Sequence, residues 1–443
     1  MLLVGNGRLF TFDRNNRWFE NGAVVCEGDR IIDVGEYACL QKSYPGAEFV
    51  DAKGGLILPG LINTHNHIYS ALARGIAINN YNPRGFMDIL DGMWWTLDRQ
   101  LNNEDNRISA RLTALDCIKN GVTTIFDHHA SYGEIEGSLF VIAEEMQTAG
   151  LRACLCYEIS DRDGEEKTLA AIKENIDFAA YAAGDTTHSL VAMMGLHASF
   201  TLSDSTLQRV MEDADAELGF HIHVAEGRDD LQDAEDKYGM RVVERLERCG
   251  ILGPKTIAAH CIHVNQDEIG ILKNTDTIVV HNPESNMGNA VGCPPTMEIM
   301  AQGIITGLGT DGYTNDMLES YKVANIIHKH HLQDCNAAWA EAPQMLFKNN
   351  REIAEKFFGL PLGVLKVDAG ADIIVMDYQP ITPLFEGNIY GHLLFGTNGR
   401  NVVTTVARGH LLMKERCLLH MDEPEIAAKS RKQAAALWQR INA

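Results

Sequence analysis

No Cys-x-x-Cys pair occurs in the 443 residues, although the chain carries 10 cysteines. That absence excludes a zinc knuckle and a thioredoxin-type redox motif. Cys26, Cys39, Cys117, Cys154, Cys156, Cys249, Cys261, Cys293, Cys335 and Cys417 follow no disulfide framework. They read as buried, reduced thiols of a cytoplasmic protein. Positive charge is also short: 38 Lys and Arg stand against 60 Asp and Glu, a formal net charge of −22. Such a balance argues against a nucleic-acid surface or an anionic membrane as partner. No apolar run approaches the roughly 20 residues needed to span a bilayer. The opening Met1-Leu2-Leu3-Val4-Gly5-Asn6-Gly7-Arg8 has neither a basic start nor a long apolar segment, so no targeting signal is expected.

What is present is an ordinary globular composition, 45% hydrophobic and 22% charged, in a chain long enough for one large domain and a smaller one. The two ends read as short strands. Val24-Val25-Cys26, Gly28-Asp29-Arg30 and Ile31 to Gly35 form a hairpin signal with Gly and Asp at the turn. Ala371 to Asp377, Val402 to Val406 and Gly409 to Leu412 echo it near the C-terminus. Residues 1–55 and 363–443, the latter with a C-terminal helix, are therefore expected to form one small β-sandwich domain from both chain ends. Residues 56–362 form the other domain.

That middle region alternates apolar strands with helical stretches. Leu56 to Ile62 reads as a buried strand ending at His65 and His67. Seven more candidates follow, ending near His129, Glu158, His197, Glu226, His260, His281 and Asp311. Eight βα units argue an α/β fold with a parallel (β/α)8 TIM barrel. Seven of the eight strands finish with His or Asp at or beside the end, where barrel enzymes place their chemistry.

His65 and His67, spaced i, i+2, point to one face of a strand and can grip one ion from one side. His223 on the fifth strand and Asp311 on the eighth complete three imidazoles and a carboxylate, a set that holds one divalent metal ion and leaves a position for water. Glu226, three residues after His223, is placed to take a proton from that water and pass it to a leaving nitrogen. His260 can orient the nucleophile or hold a developing oxyanion. His221 competes with His223 but reads as a supporting or core histidine, being further from the strand end.

Leu58-Pro59-Gly60-Leu61-Ile62-Asn63-Thr64-His65-Asn66-His67, His223-Val224-Ala225-Glu226, Ala259-His260-Cys261, His281-Asn282-Pro283-Glu284-Ser285-Asn286 and Leu308-Gly309-Thr310-Asp311-Gly312 together resemble the amidohydrolase superfamily. Within it the chain is similar to the mononuclear branch of chlorohydrolases and deaminases. Met93 to Arg99, Phe126 to Ser131 and Ser285 to Asn289 resemble the SsnA-type aminohydrolases. The resemblance implies His65, His67, His223 and Asp311 on the metal, Zn²⁺ before Fe²⁺. It implies Glu226 in proton transfer, His260 and His197 on the substrate side, and a homodimer or larger homo-oligomer, and Asn286 is a further substrate-binding candidate. In methylthioadenosine-type deaminases of this branch a Glu binds ribose hydroxyls. Here Leu97 aligns with that place, which argues against a nucleoside substrate. The fourth strand ends in His197-Ala198-Ser199-Phe200, without the bridging lysine of the binuclear members, so one metal is expected. Zinc deaminases with a Pro-Cys-x-x-Cys signature are excluded.

Three further features have a functional and a plain reading. Trp94 and Trp95 follow the first strand, where they can stack on a flat heterocycle or anchor a helix. Asp127 and His128 sit in a polar run at the second strand's end, only part of which can face inward. His328-Lys329-His330-His331 reads as a solvated helix face. The expected reaction is deamination of a purine-, oxopurine-, pterin- or triazine-like heterocycle, with ring opening of an oxopurine-like substrate as the alternative. A catalytically inactive scaffold would have lost ligands, and none is missing.

Overall fold

The computed structural model describes residues 1–215 and 217–443. Its strands are β1 (Leu2–Phe10), β2 (Trp18–Glu27), β3 (Arg30–Glu36), β4 (Glu48–Asp51), β5 (Leu56–Pro59), β6 (Leu61–Asn66), β7 (Val122–His129), β8 (Arg152–Tyr157) and β9 (Leu190–Ala192). They continue as β10 (Met194–Ala198), β11 (Phe220–Val224), β12 (Ile257–His260), β13 (Ile278–His281), β14 (Thr306–Leu308), β15 (Ile373–Met376), β16 (Val402–Ala407), β17 (His410–Lys414) and β18 (Cys417–Leu418).

Among the described residues the two chain ends share one sheet, in the order β18-β17-β16-β15-β5-β1-β2-β3 with β4 beside β1. β5 is the seam. It lies parallel to β1, pairing Leu9 with Ile57, and antiparallel to β15, pairing Leu58 with Ile374. Val4, Val24, Ile31, Ile57, Ile373 and Val406 are buried in one apolar cluster of this sheet. Gly409 ties the two ends together: its φ is +74°, and a Cβ there would stand 1.8 Å from the Gly28 carbonyl oxygen, which only glycine avoids.

The middle of the chain forms two parallel sheets, β6-β7-β8-β9 and β10-β11-β12-β13-β14, with helices between successive strands. All eight residues of β7 are buried, as a strand covered on both faces requires. The helix Asn103–Asn120 that feeds it begins with a capping box between Asn102 and Asp105 and ends at Gly121, whose φ of +78° turns the chain into β7.

Two strand expectations change. The apolar run from Leu56 is not one strand, because Pro59 and Gly60 break it. Gly60 donates its N–H to the Asp372 carbonyl (3.0 Å), and a Cβ there would collide with Thr123. Leu56–Pro59 therefore belongs to the terminal sheet and Leu61–Asn66 to the parallel one. The fourth strand breaks at Met193, so that β9 pairs with β8 and β10 pairs with β11. Bridges between Asn66 and Asp311 and between Ile159 and Leu196 link the two parallel sheets.

The terminal sheet is fastened to the parallel one by a buried ion pair. Arg152 Nη1 on β8 donates to both carboxylate oxygens of Asp372 at 2.7 Å, and the Arg408 backbone N–H adds a third bond to the same carboxylate. All ten cysteines are free, but Cys39, Cys335 and Cys417 are exposed, against the expectation that they are buried. The His328 to His331 stretch also needs correction. His330 and His331 are exposed, whereas His328 is buried with its Nε2 3.2 Å from His281 Nε2. It continues the helix's inner stripe of Tyr321, Ala324 and Asn325. No helix among the described residues is long and apolar enough to cross a membrane.

Candidate active site

The C-terminal ends of the parallel strands bring His65, His67, His223, His260 and Asp311 together. The ligand atoms of His65, His67 and His223 lie within 4.8 Å of one another, as do those of His65, His260 and Asp311. The strand ends are conformationally costly: Ala225 (φ +46°), His260 (+73°), Cys261 (+49°) and Asp311 (+55°) all occupy the left-handed region without being glycine. Such strain persists where the surrounding fold over-determines it, and it collects at functional sites.

The imidazoles share one orientation. His67 Nδ1 donates to the His128 carbonyl (2.6 Å) and His223 Nδ1 to the His197 carbonyl (2.8 Å). His260 Nδ1 is bonded to Asn286 Oδ1 (2.8 Å), and His65 Nδ1 to His221 Nε2 (2.8 Å). A carbonyl accepts only from the ring N–H here, so the Nδ1 nitrogens of His67 and His223 carry a proton, and in each neutral ring Nε2 is the lone-pair donor. Those two Nε2 atoms face each other at 3.2 Å, and Asp311 Oδ1 lies 3.1 Å from His67 Nε2. His65 Nε2 and His260 Nε2 are buried without a hydrogen-bond partner among the described residues. Converging lone pairs, a carboxylate and orphaned ring nitrogens fit a divalent cation. His221 stands behind His65 and orients it.

The electrostatics favour positive charge here. Burial opposes a charge on His67, but Asp311 outweighs it and raises the pKa to about 9. Burial works against ionisation of Asp311 too, yet His67, then His260 and His223, hold it well below the usual carboxylate range. Burial lowers His223 to about 3, with His67 and His260 adding to the effect. Glu226 is raised by burial, against the pull of His260. Its Oε1 accepts from Asn289 Nδ2 (3.3 Å), and its Oε2 lies 3.6 Å from His260 Nε2. His260 Nε2 is in turn 3.5 Å from Asp311 Oδ2.

These groups open on a small cavity. His67, His223, Glu226 and Asp311 form its floor, and Phe86, Leu90, Trp94 and Trp95 give it an apolar wall from the excursion after β6. His197 lines it, held by a bond from Nδ1 to Thr201 Oγ1 (2.8 Å).

Three residues expected at the substrate do not line this cavity. Asp127 is buried beneath it, where Oδ1 accepts the Ile68 N–H (2.6 Å) and fixes the turn after His67. His128 points inward, its Nε2 donating to the Leu196 and His221 carbonyls. Asn286 lies behind His260, and Asn289 of the same motif reaches the cavity instead. Leu97 is also away from it, packed with Leu101, Ile108 and Leu437. It therefore gives no ground against a nucleoside. Sequence reasoning assigned no site role to Tyr69, Glu158 or Asn289, all of which line the cavity. For Glu158 the signal was its position one residue past a strand.

Parallel strands ending in imidazoles and a carboxylate that could hold a cation, beside the buried Glu226, fit a metal-dependent hydrolase of C–N bonds. The chain belongs to the amidohydrolase family, whose model matches residues 56–412. It is 32% identical over 449 aligned residues, covering 100% of this chain and 99% of the relative, to a 5'-deoxyadenosine deaminase of Methanosarcina barkeri. It is 34% identical over 401, covering 88% and 89%, to a 5-methylthioadenosine/S-adenosylhomocysteine deaminase of Thermococcus sibiricus. In fold it matches an adenosine deaminase from Xanthomonas campestris solved with bound zinc, with a TM-score of 0.87, 22% identity and coverage of 99% and 98%. It also matches the zinc complex of atrazine chlorohydrolase TrzN from Arthrobacter aurescens, with a TM-score of 0.82, 21% identity and coverage of 98% and 100%. The family expected from the motifs is thus borne out.

Proposed function

We propose that this protein removes an exocyclic amine from a purine-type heterocycle by hydrolysis, with His65, His67, His223 and Asp311 holding one divalent cation. The observation that carries the reading is the shared orientation of the imidazoles, Nδ1 spent on the fold and Nε2 turned to a common centre with Asp311. Zn²⁺ suits three nitrogens and one carboxylate oxygen best, with Fe²⁺ second. When bound, such a cation supplies a Lewis acid that makes water acidic enough to act as a nucleophile near neutral pH.

Glu226 would take a proton from the attacking water and deliver it to the departing nitrogen, a role that suits a carboxylate whose pKa burial has raised. His260, fixed by Asn286, sits beside both Glu226 and Asp311, where it stabilises negative charge developing on oxygen. Trp94 and Trp95 pack against the flat ring, and His197 bonds its edge. The names of the full-length relatives support a purine over a pterin or triazine.

The same reading extends to architecture. The two parallel sheets, linked at Met193 and at Asn66–Asp311, make one closed (β/α)8 barrel. The terminal sheet is the β-sandwich domain expected of residues 1–55 and 363–443, a reading extended to take in Leu56–Pro59, whose pairing with β1 and β15 supports it. Free thiols support a cytoplasmic site of action. Exposed Trp339, Ile381, Phe385 and Phe395 support a homodimer or larger assembly.

His65→Ala tests the cation site. The variant should lose bound metal and activity together, and a full equivalent of tightly held metal in it would show the set to be wrong.

A further inference from the structure

Glu158 is the acidic group of the cavity that the hydrolytic chemistry leaves unused. It stands one residue past β8, and its backbone is held on both sides. Its N–H donates to the His129 carbonyl (2.7 Å), and its carbonyl accepts from Tyr132 Oη (2.8 Å). The residue is 3% exposed and lines the cavity with Tyr69, Trp95 and His197.

Its carboxylate accepts no hydrogen bond from the described residues. Arg162 Nη2 at 3.6 Å and His128 Nδ1 at 3.7 Å are the nearest cationic or imidazole nitrogens, and both lie beyond bonding distance. Arg162 is already committed: its two Nη atoms donate to the two oxygens of Asp98 at 3.2 and 2.5 Å, and its guanidinium stacks over Tyr132 at 4.1 Å. Arg99 is likewise bonded to Asp163 (2.8 Å). The local acids outnumber the local cations, and Glu158, with Arg162 only at ion-pair range, is the one left without a hydrogen-bond donor among the described residues. A buried carboxylate is costly unless donors satisfy it, and the open side of this one is the cavity.

We propose that Glu158 is a specificity-determining residue that accepts hydrogen bonds from ring N–H groups of the substrate. The site then favours a heterocycle whose six-membered ring presents an N–H edge, a lactam or cyclic amidine. It disfavours one that presents bare ring nitrogens there, an adenine-type edge included, because their lone pairs would face the carboxylate, so the exocyclic amine of the proposed reaction belongs on a purine that also carries a lactam N–H. The proposal rests on reading the cavity as a heterocycle site. Its test therefore measures binding, which Glu226 chemistry does not control.

A matched pair of probes isolates the edge. 6-Oxopurine carries N1–H, and 6-methoxypurine has the same rings with N1 bare. Dissociation constants are measured by calorimetry for the zinc-loaded wild type, Glu158→Gln and Glu158→Ala, with bound zinc determined in each. The wild type should bind 6-oxopurine at least about tenfold more tightly, as expected when a site built around a hydrogen bond meets an analogue lacking it. In both variants the ratio should fall to within about threefold with zinc unchanged. An unchanged ratio would overturn the proposal. So would a wild type that fails to distinguish the probes, including one that binds neither. Loss of zinc in Glu158→Gln would overturn it as well, making Glu158 a ligand with His128 and His223, whose ligand atoms lie within 4.8 Å of its own.

Discussion

His67 Nε2 and His223 Nε2 lie 3.2 Å apart, and each ring has its other nitrogen bonded to a backbone carbonyl. Rings so fixed turn both Nε2 atoms to one point beside Asp311, where a proton raised onto His67 holds them together and a shared cation takes that proton's place. Removing metal with a chelator should therefore lower the thermal midpoint as well as abolish turnover. Zn²⁺ at about 100 times its dissociation constant should restore about 2.7 kcal/mol of stability. Differential scanning calorimetry of stripped and reloaded protein reads this directly. Identical midpoints would mean that the cluster is satisfied without an ion.

Glu226→Gln keeps the shape of the side chain and its bond with Asn289 while removing the base. Turnover should fall by about two to four orders of magnitude with bound metal unchanged. Metal content by mass spectrometry and steady-state rates together check this. Near-normal rates would move the proton-transfer role to another group, with His260 the nearest.

Arg152 and Asp372 are both fully buried and join β8 to the segment before β15. Asp372→Ala leaves a buried guanidinium without its partner and should cost about 3–5 kcal/mol. The double variant Arg152→Met/Asp372→Leu, which removes both charges, should recover most of that loss. Denaturant unfolding of the three proteins is the measurement. Equal destabilisation of the single and double variants would show that the pair is not what fastens the sheets.

Much of this site was legible from local pattern. Residues of one strand that share a face do so by geometry, so His65 and His67, and the strand-end positions of His223, His260 and Asp311, could be placed before any fold was known. What the pattern could not show comes from neighbouring elements. The carbonyls that orient His67 and His223 belong to His128 and His197, on other strands. Asn286 and Asn289 share a helix face one turn apart, and that step along the axis puts Asn289 at the cavity and Asn286 behind His260. Leu97 seemed to speak about the substrate because alignment gives a position but not a direction, and its side chain turns into the core. The break after Pro59 depends on Gly60 meeting Asp372 and Thr123, contacts made across the fold. The isolation of Glu158 is likewise visible only once Arg162 is seen to be committed to Asp98.

The central claim is that a C–N bond to an exocyclic amine is broken. Product mass with ammonia release, measured on the zinc-loaded protein across aminopurines, oxopurines, pterins and triazines, tests it most directly. Exchange of an amine for oxygen adds about 1 Da and frees one ammonia per turnover, the result this account predicts. A gain of about 18 Da without ammonia would mean that water opened the ring, and would contradict it.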